Sequence, residues 1–151
     1  MKKSWIKIIG ILVSMVIVIQ FIPVEKSNPV TISEMPAPSD VRQILQRSCY
    51  DCRSHQTIWP WYSHIAPVSW LIAHDVKEGR EHLNFSVWSQ YDQRKQLRLH
   101  DEIQEMIDKE EMPLRPYLWL HPAAKLSEQD KRVIREWLIE SQSTNRDLSA
   151  K

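Results

Sequence analysis

Cys49-Tyr50-Asp51-Cys52-Arg53-Ser54-His55 holds the only two cysteines of the chain, and Trp59-Pro60-Trp61-Tyr62-Ser63 follows almost at once. Two thiols at this spacing can close a tight disulfide, supply half of a metal site, or take two thioether bonds from a haem. The haem form of the pattern is Cys-x-x-Cys-His, whose histidine is the iron's proximal ligand. Here Arg53 stands where that histidine belongs, and the nearest imidazole is His55. Arginine stays protonated and cannot coordinate iron. The spacing points to haem chemistry while one residue removes a ligand that such chemistry uses.

Working outward, Ser39-Asp40 offers an N-cap, and Val41, Ile44, Leu45 and Ser48-Cys49 recur at helical spacing. The cysteine pair therefore falls at the C-terminal end of a first helix. Pro60 forbids a helix through Trp59-Pro60-Trp61-Tyr62, which reads as a bulky aromatic turn. A second helix is expected from Ala66-Pro67, with Pro67 in the first turn and Val68, Leu71, Ile72, Asp75 and Val76 on one face. Gly79 is its expected stop. A third helix is expected from Asp92 to Glu110, with Leu97, His100, Ile103, Met106 and Ile107 in a stripe that ends before Met112-Pro113. His100 reads as a satisfied boundary residue. Leu114 to Ala124 carries Pro116 and Pro122 and is too interrupted for a long helix. Ser127 to Asp130 resembles a capping box ahead of Val133, Ile134, Trp137 and Leu138, and that last helix fades after Ser141. No stretch alternates and no Gly-rich phosphate loop occurs. The fold class is all-α.

At the other end, Met1-Lys2-Lys3 precedes an apolar run from Ile8 to Ile19, extended by Phe21 and Ile22. A basic flank before an apolar run is an export signal, and no small-x-small cleavage pattern follows it. Residues 1–23 are therefore expected to be an uncleaved transmembrane helix, with Lys2, Lys3 and Lys7 on the cytoplasmic side. Residues 24–38, rich in Pro and Ser, read as a tether, 39–141 as the domain, and 142–151 as a polar tail. The location implied is a bacterial inner membrane crossed once, with the domain in the periplasm. That compartment is oxidising, which suits a disulfide as well as a haem.

The 151 residues allow one domain and a short appendage. A formal net charge of +1 gives no reason to expect a nucleic-acid partner. Seven Trp against two Gly suit a small helical domain packed around something bulky, and equally an ordinary Trp-rich core. No Ser/His/Asp or paired-carboxylate pattern argues for hydrolysis, and no enzymatic role is expected.

Cys49-Tyr50-Asp51-Cys52-x-Ser54, Trp59-Pro60-Trp61-Tyr62-Ser63, Ile65-Ala66-Pro67-Val68-Ser69-Trp70 and Asn84-Phe85-Ser86-x-Trp88 together resemble the bacterial haem-binding-domain family, small exported or membrane-anchored proteins related to cytochrome c. The likeness continues through Glu111-Met112-Pro113, Tyr117, His121-Pro122-x-Ala124 and Leu126-Ser127 to Trp137, and covers roughly residues 38–140. It implies a cytochrome c-like domain with haem c attached through Cys49 and Cys52. It also implies Met112 as distal ligand and a role in electron transfer or redox sensing with a partner protein. Met112 lies in a break between helices, and its thioether is a soft donor suited to haem iron.

Family members carry His where Arg53 stands, so the proximal ligand is in question, with His55 the weak substitute. Trp59, Trp61 and Trp70 are candidate pocket walls. His121, within the His-Pro pattern, is expected to hydrogen-bond. The alternative is a haem-less relative in which Cys49 and Cys52 form a disulfide and the domain serves as a binding or structural module. Two further readings are weaker. A dithiol oxidoreductase lacks a surrounding βαβ pattern, and a zinc site of Cys49, Cys52 and His55 lacks a fourth ligand.

Overall fold

The computed structural model describes residues 2–149. It is all-helical: α1 (Lys2–Ile19), α2 (Ser39–Ser48), α3 (Tyr50–Arg53), α4 (Val68–His82), α5 (Gln93–Asp108), α6 (Arg115–Leu120) and α7 (Glu128–Ser149). Single 3-10 turns occupy Trp61–His64, Trp88–Gln90 and Pro122–Ala124. Among the described residues the sole β feature is an isolated bridge between Ser33 and Val87.

The core lies where α2 and α5 meet α7. Each helix gives it a stripe: Val41, Ile44 and Leu45 from α2, Leu99, Ile103 and Ile107 from α5, Ile134, Trp137 and Leu138 from α7. On α5 the expected Leu97 stays half-buried and Leu99 takes its place in the core. Asp92 caps α5 by accepting from the Lys95 N–H at 2.7 Å. The capping box of α7 is reciprocal: Ser127 Oγ accepts from the Asp130 N–H at 3.1 Å, and Asp130 Oδ2 accepts from the Ser127 N–H at 2.8 Å.

Several expectations need correction. Gly79 does not stop α4, which runs on to His82. It is glycine for closeness instead, since a Cβ there would lie 2.5 Å from the Cys52 carbonyl oxygen. The last helix continues to Ser149 through the segment read as a polar tail. His100 is fully buried, because Trp88 stacks on it at 5.4 Å and Trp137 meets it edge-on at 5.7 Å.

Residues 24–38 form a pinned strap rather than a tether. The Ile32 and Ser33 N–H groups donate to the Ser86 carbonyl, the Met35 N–H donates to the Phe85 carbonyl, and the Met35 side chain sits in the core. Asn28 donates to the Thr57 carbonyl at 2.8 Å and Lys26 to that of Ser63 at 3.0 Å.

The apolar run expected to be a transmembrane helix over residues 1–23 is observed as an 18-residue helix, Lys2–Ile19. No helix among the described residues is long and apolar enough to cross a membrane. The 18 residues of α1 reach about 27 Å, against a hydrocarbon core of about 30 Å, and they include Lys2, Lys3 and Lys7. Its described side chains are almost all exposed. Gln20, just beyond α1, ties this end to the domain: its Nε2 donates to the Ala66 carbonyl and its Oε1 accepts from the Ala66 N–H.

Candidate functional site

The cysteine segment is one helical turn set at an angle to α2. Cys49 is the joint. Its N–H closes α2 on the Leu45 carbonyl, and its own carbonyl accepts from the N–H groups of Cys52 and Arg53. Tyr50 turns inward and stacks on Phe85 at 5.1 Å. Beyond the turn, the buried Ser54 hydroxyl donates to the Tyr50 carbonyl and accepts from the Gln56 N–H. Arg80 of α4 then fastens three segments together, donating to the carbonyls of Ser54 and Ser27, to Asn28 Oδ1 and to Thr57 Oγ1, all at 2.8–2.9 Å. Asp51 works from the other side. Its Oδ1 accepts from the Ile58 N–H at 2.9 Å and its Oδ2 from the Tyr117 hydroxyl at 2.6 Å.

So held, Cys49 and Cys52 line a cavity of about 280 Å³. Its other walls are Met112, Pro113, Leu114 and Tyr117, together with Asp75, Glu78, Gly79 and His82 of α4. A second cavity, also of about 280 Å³, adjoins it through the shared residues Asp51, Cys52, Asp75, Leu114 and Tyr117. Its walls are apolar, drawn from Ile58, Pro60, Val68, Leu71, Ile72 and Leu120.

Burial dominates the electrostatics. It pushes the Cys49 thiol up to about 12 and the Cys52 thiol to about 11, against the opposing pull of Arg53. Burial also raises Tyr117, aided by the carboxylate of Asp51, and raises the Asp75 carboxyl. Both cysteines are free, so the disulfide of the alternative reading is not formed here. Burial also works against the thiolate that thiol exchange uses. The same fact disfavours dithiol oxidoreductase chemistry.

Of the residues singled out in the sequence, Cys49, Cys52 and Met112 come together on one cavity. The tryptophans do not join them. Trp59 and Trp70 line a separate cavity of about 530 Å³ behind α4, and Trp61 is 75 % exposed. On α4 the cavity face is the one carrying Leu71, Ile72 and Asp75, which turns Trp70 away. His55 is also elsewhere. Its Nδ1 is bonded to the Val30 carbonyl and its Nε2 faces the Asn84 side-chain amide at 2.8 Å, so neither ring nitrogen is left for iron or zinc. Among the described residues no cluster of His, Cys, Asp and Glu could hold a metal ion. His121 does hydrogen-bond, to the Tyr62 hydroxyl at 2.5 Å, and stacks on Tyr117 at 4.3 Å.

Asp75, Gly79 and His82 were missed as cavity residues. Their i, i+4, i+7 spacing along α4 is the signal that groups them. The His82 imidazole lines the cysteine cavity and makes no side-chain hydrogen bond or ion pair with the described residues.

Two thiols and a thioether around one cavity are donors of the kind that hold a prosthetic group. Residues 14–140 match the family model described as a haem-binding domain, and the chain belongs to that family. No curated protein and no solved structure matches it.

The donor set fits a haem at three points: two thiols placed for attachment and one soft sulfur for the iron. The two adjoining cavities share five residues and together form the open space beside these sulfurs. Position 53 does not supply the fourth point. Its guanidinium lines the same cavity and cannot ligate.

Proposed function

We propose that this is a membrane-associated c-type haem protein serving electron transfer or redox sensing on the periplasmic side of a bacterial inner membrane. The observation that carries the reading is that Cys49, Cys52 and Met112 line one cavity in a chain of the haem-binding-domain family. Cys49 and Cys52 would hold the group covalently, and Met112 would bind its iron through the thioether. His82, whose imidazole lines the same cavity, would be the candidate for a second ligand. A bound haem supplies one-electron iron chemistry. The chain holds the cysteine turn rigid through Arg80 and Asp51, and it covers one side of the slot with apolar walls. The exposed apolar side chains of α1 support association with a membrane, and a redox protein is the expected partner.

Arg53 favours a second reading, a family member that has given up covalent haem and keeps the cavity as a binding module. Expression of the full chain in a host that matures c-type cytochromes separates the two. Haem staining that survives denaturing electrophoresis and vanishes in Cys49→Ser and Cys52→Ser supports the first; colourless wild-type protein overturns it. In coloured protein, Met112→Leu should abolish the sulfur-to-iron charge-transfer band, and an unchanged band removes Met112 as ligand.

A further inference from the structure

Arg53 is a buried cation without a counter-ion. Its residue is 8 % exposed, and its guanidinium makes one side-chain hydrogen bond, from Nη2 to the Met106 Sδ at 3.4 Å. A guanidinium offers five N–H donors, and a thioether is a weak acceptor. None of the ion pairs among the described residues includes it. Arg80, less deeply placed, shows what this chain does with an arginine it means to satisfy: four oxygen acceptors.

The acids beside Arg53 do not fill the gap. Glu102 acts on it only at a distance. Asp51, Asp75 and Glu78 share the cavity wall, but none forms an ion pair with Arg53: Glu78 pairs with His74, and Asp51 accepts from the Ile58 N–H and the Tyr117 hydroxyl. None of its unpartnered nitrogens is among the fully buried orphan atoms, so they keep contact with open space, and the open space beside Arg53 is the cavity it lines.

We propose that Arg53 is the anion anchor of the cysteine cavity and takes a carboxylate of the bound ligand. Two sources carry that chemistry: a propionate of a macrocycle held in the slot, or a free small carboxylate. The first rests on the haem reading above; the second does not.

The test uses the full chain prepared without haem maturation, titrated separately with haemin, with haemin dimethyl ester, and with sodium acetate against sodium chloride at matched ionic strength. Binding is read by tryptophan quenching and thermal midpoint. A charge-assisted bond of this kind predicts that Arg53→Gln weakens haemin binding by about tenfold or more. Esterification should do the same to wild type, with no further loss when the two changes are combined. That pattern assigns the propionate. A rise in midpoint with acetate, present in wild type and absent in Arg53→Gln, assigns the free carboxylate.

Arg53→Lys, which keeps the charge, should retain part of either response and replaces Arg53→Gln if that variant fails to fold. Haemin bound equally by wild type, Arg53→Gln and as its ester, with no acetate response, overturns the anchor while leaving the haem reading intact. An acetate response without haemin binding supports the anchor and counts against haem. No response to any probe overturns the anchor.

Discussion

On the α2–α5–α7 side, Leu45, Ile134 and Leu138 expose no surface at all, and Trp88, His100 and Trp137 fit ring against ring. On the α3–α4–α6 side, α6 buries none of its residues, two cavities adjoin, and buried thiols sit beside an unpaired guanidinium. The first half is held by apolar packing. The second is held by polar fasteners: Arg80 with four acceptors, Asp51 with the Ile58 N–H and the Tyr117 hydroxyl, and Ser54 with Tyr50 and Gln56. Apolar packing closes space, whereas directional bonds can hold walls apart around it. The division of labour suits a domain that keeps its stability in one half and a receptive slot in the other.

The largest effect expected of a single change therefore belongs to the packed half. Leu45→Ala removes a side chain with no exposed surface and should cost about 2–5 kcal/mol, read as a lower urea midpoint. A loss under about 1 kcal/mol would mean that this side is no better packed than the other. Next comes the contact of α4 with the cysteine turn, inside the second half. Gly79→Ala drives a Cβ to 2.5 Å from the Cys52 carbonyl oxygen, so backbone must move, at an expected cost of about 1–3 kcal/mol. Faster reaction of Cys52 with a thiol reagent should accompany the loss. Wild-type stability and thiol reactivity in this variant would show that α4 does not brace the cysteine turn.

Arg80→Gln removes most of the fastener that joins Ser54, Ser27, Asn28 and Thr57, and about 1–2 kcal/mol should be lost. The sharper reading is local. Hydrogen exchange should quicken in residues 24–30 and 54–58 while α5 and α7 stay protected. Uniform quickening would erase the distinction between the two halves.

What was legible follows the same line. The stripes of α2 and α7, most of that of α5 and the Ser127–Asp130 box could be read because each is a local pattern that packing then obeys. The cap expected of Ser39-Asp40 is not there: Pro38 holds that position, and no side chain caps α2. In the site, Cys49, Cys52 and Met112 came from the motif and from resemblance, and they share a cavity. The tryptophans could not be placed, because which face of α4 meets the cysteine turn is decided by the close approach of Gly79 to Cys52. Gly79 itself was misread, since a glycine that ends a helix and one that lets two backbones touch look alike in a sequence. The strap over residues 24–38 was invisible for a related reason. Its bonds to Phe85 and Ser86 are made by backbone groups, of which composition carries no trace.

The smallest predicted effect probes the packed half with protons. His100 is held below its ordinary range by burial, with Asp101 pulling weakly the other way, and its Nδ1 has no partner. Unfolded, the same imidazole titrates near 6.5. Below that pH the unfolded chain takes up a proton that the folded chain refuses, so stability falls as pH drops. The contribution is fully present above about 6.5 and is lost as pH falls through the depressed folded value, at no more than about 1.4 kcal/mol per pH unit. Urea midpoints of wild type and His100→Phe at several pH values between about 7.5 and 5.5 isolate it, because phenylalanine keeps the stack between Trp88 and Trp137 without the titration. The variant should lose part of the acid sensitivity. If the two proteins weaken in parallel, the acid-sensitive group lies outside the core, and the packed half is not where protons act on this fold.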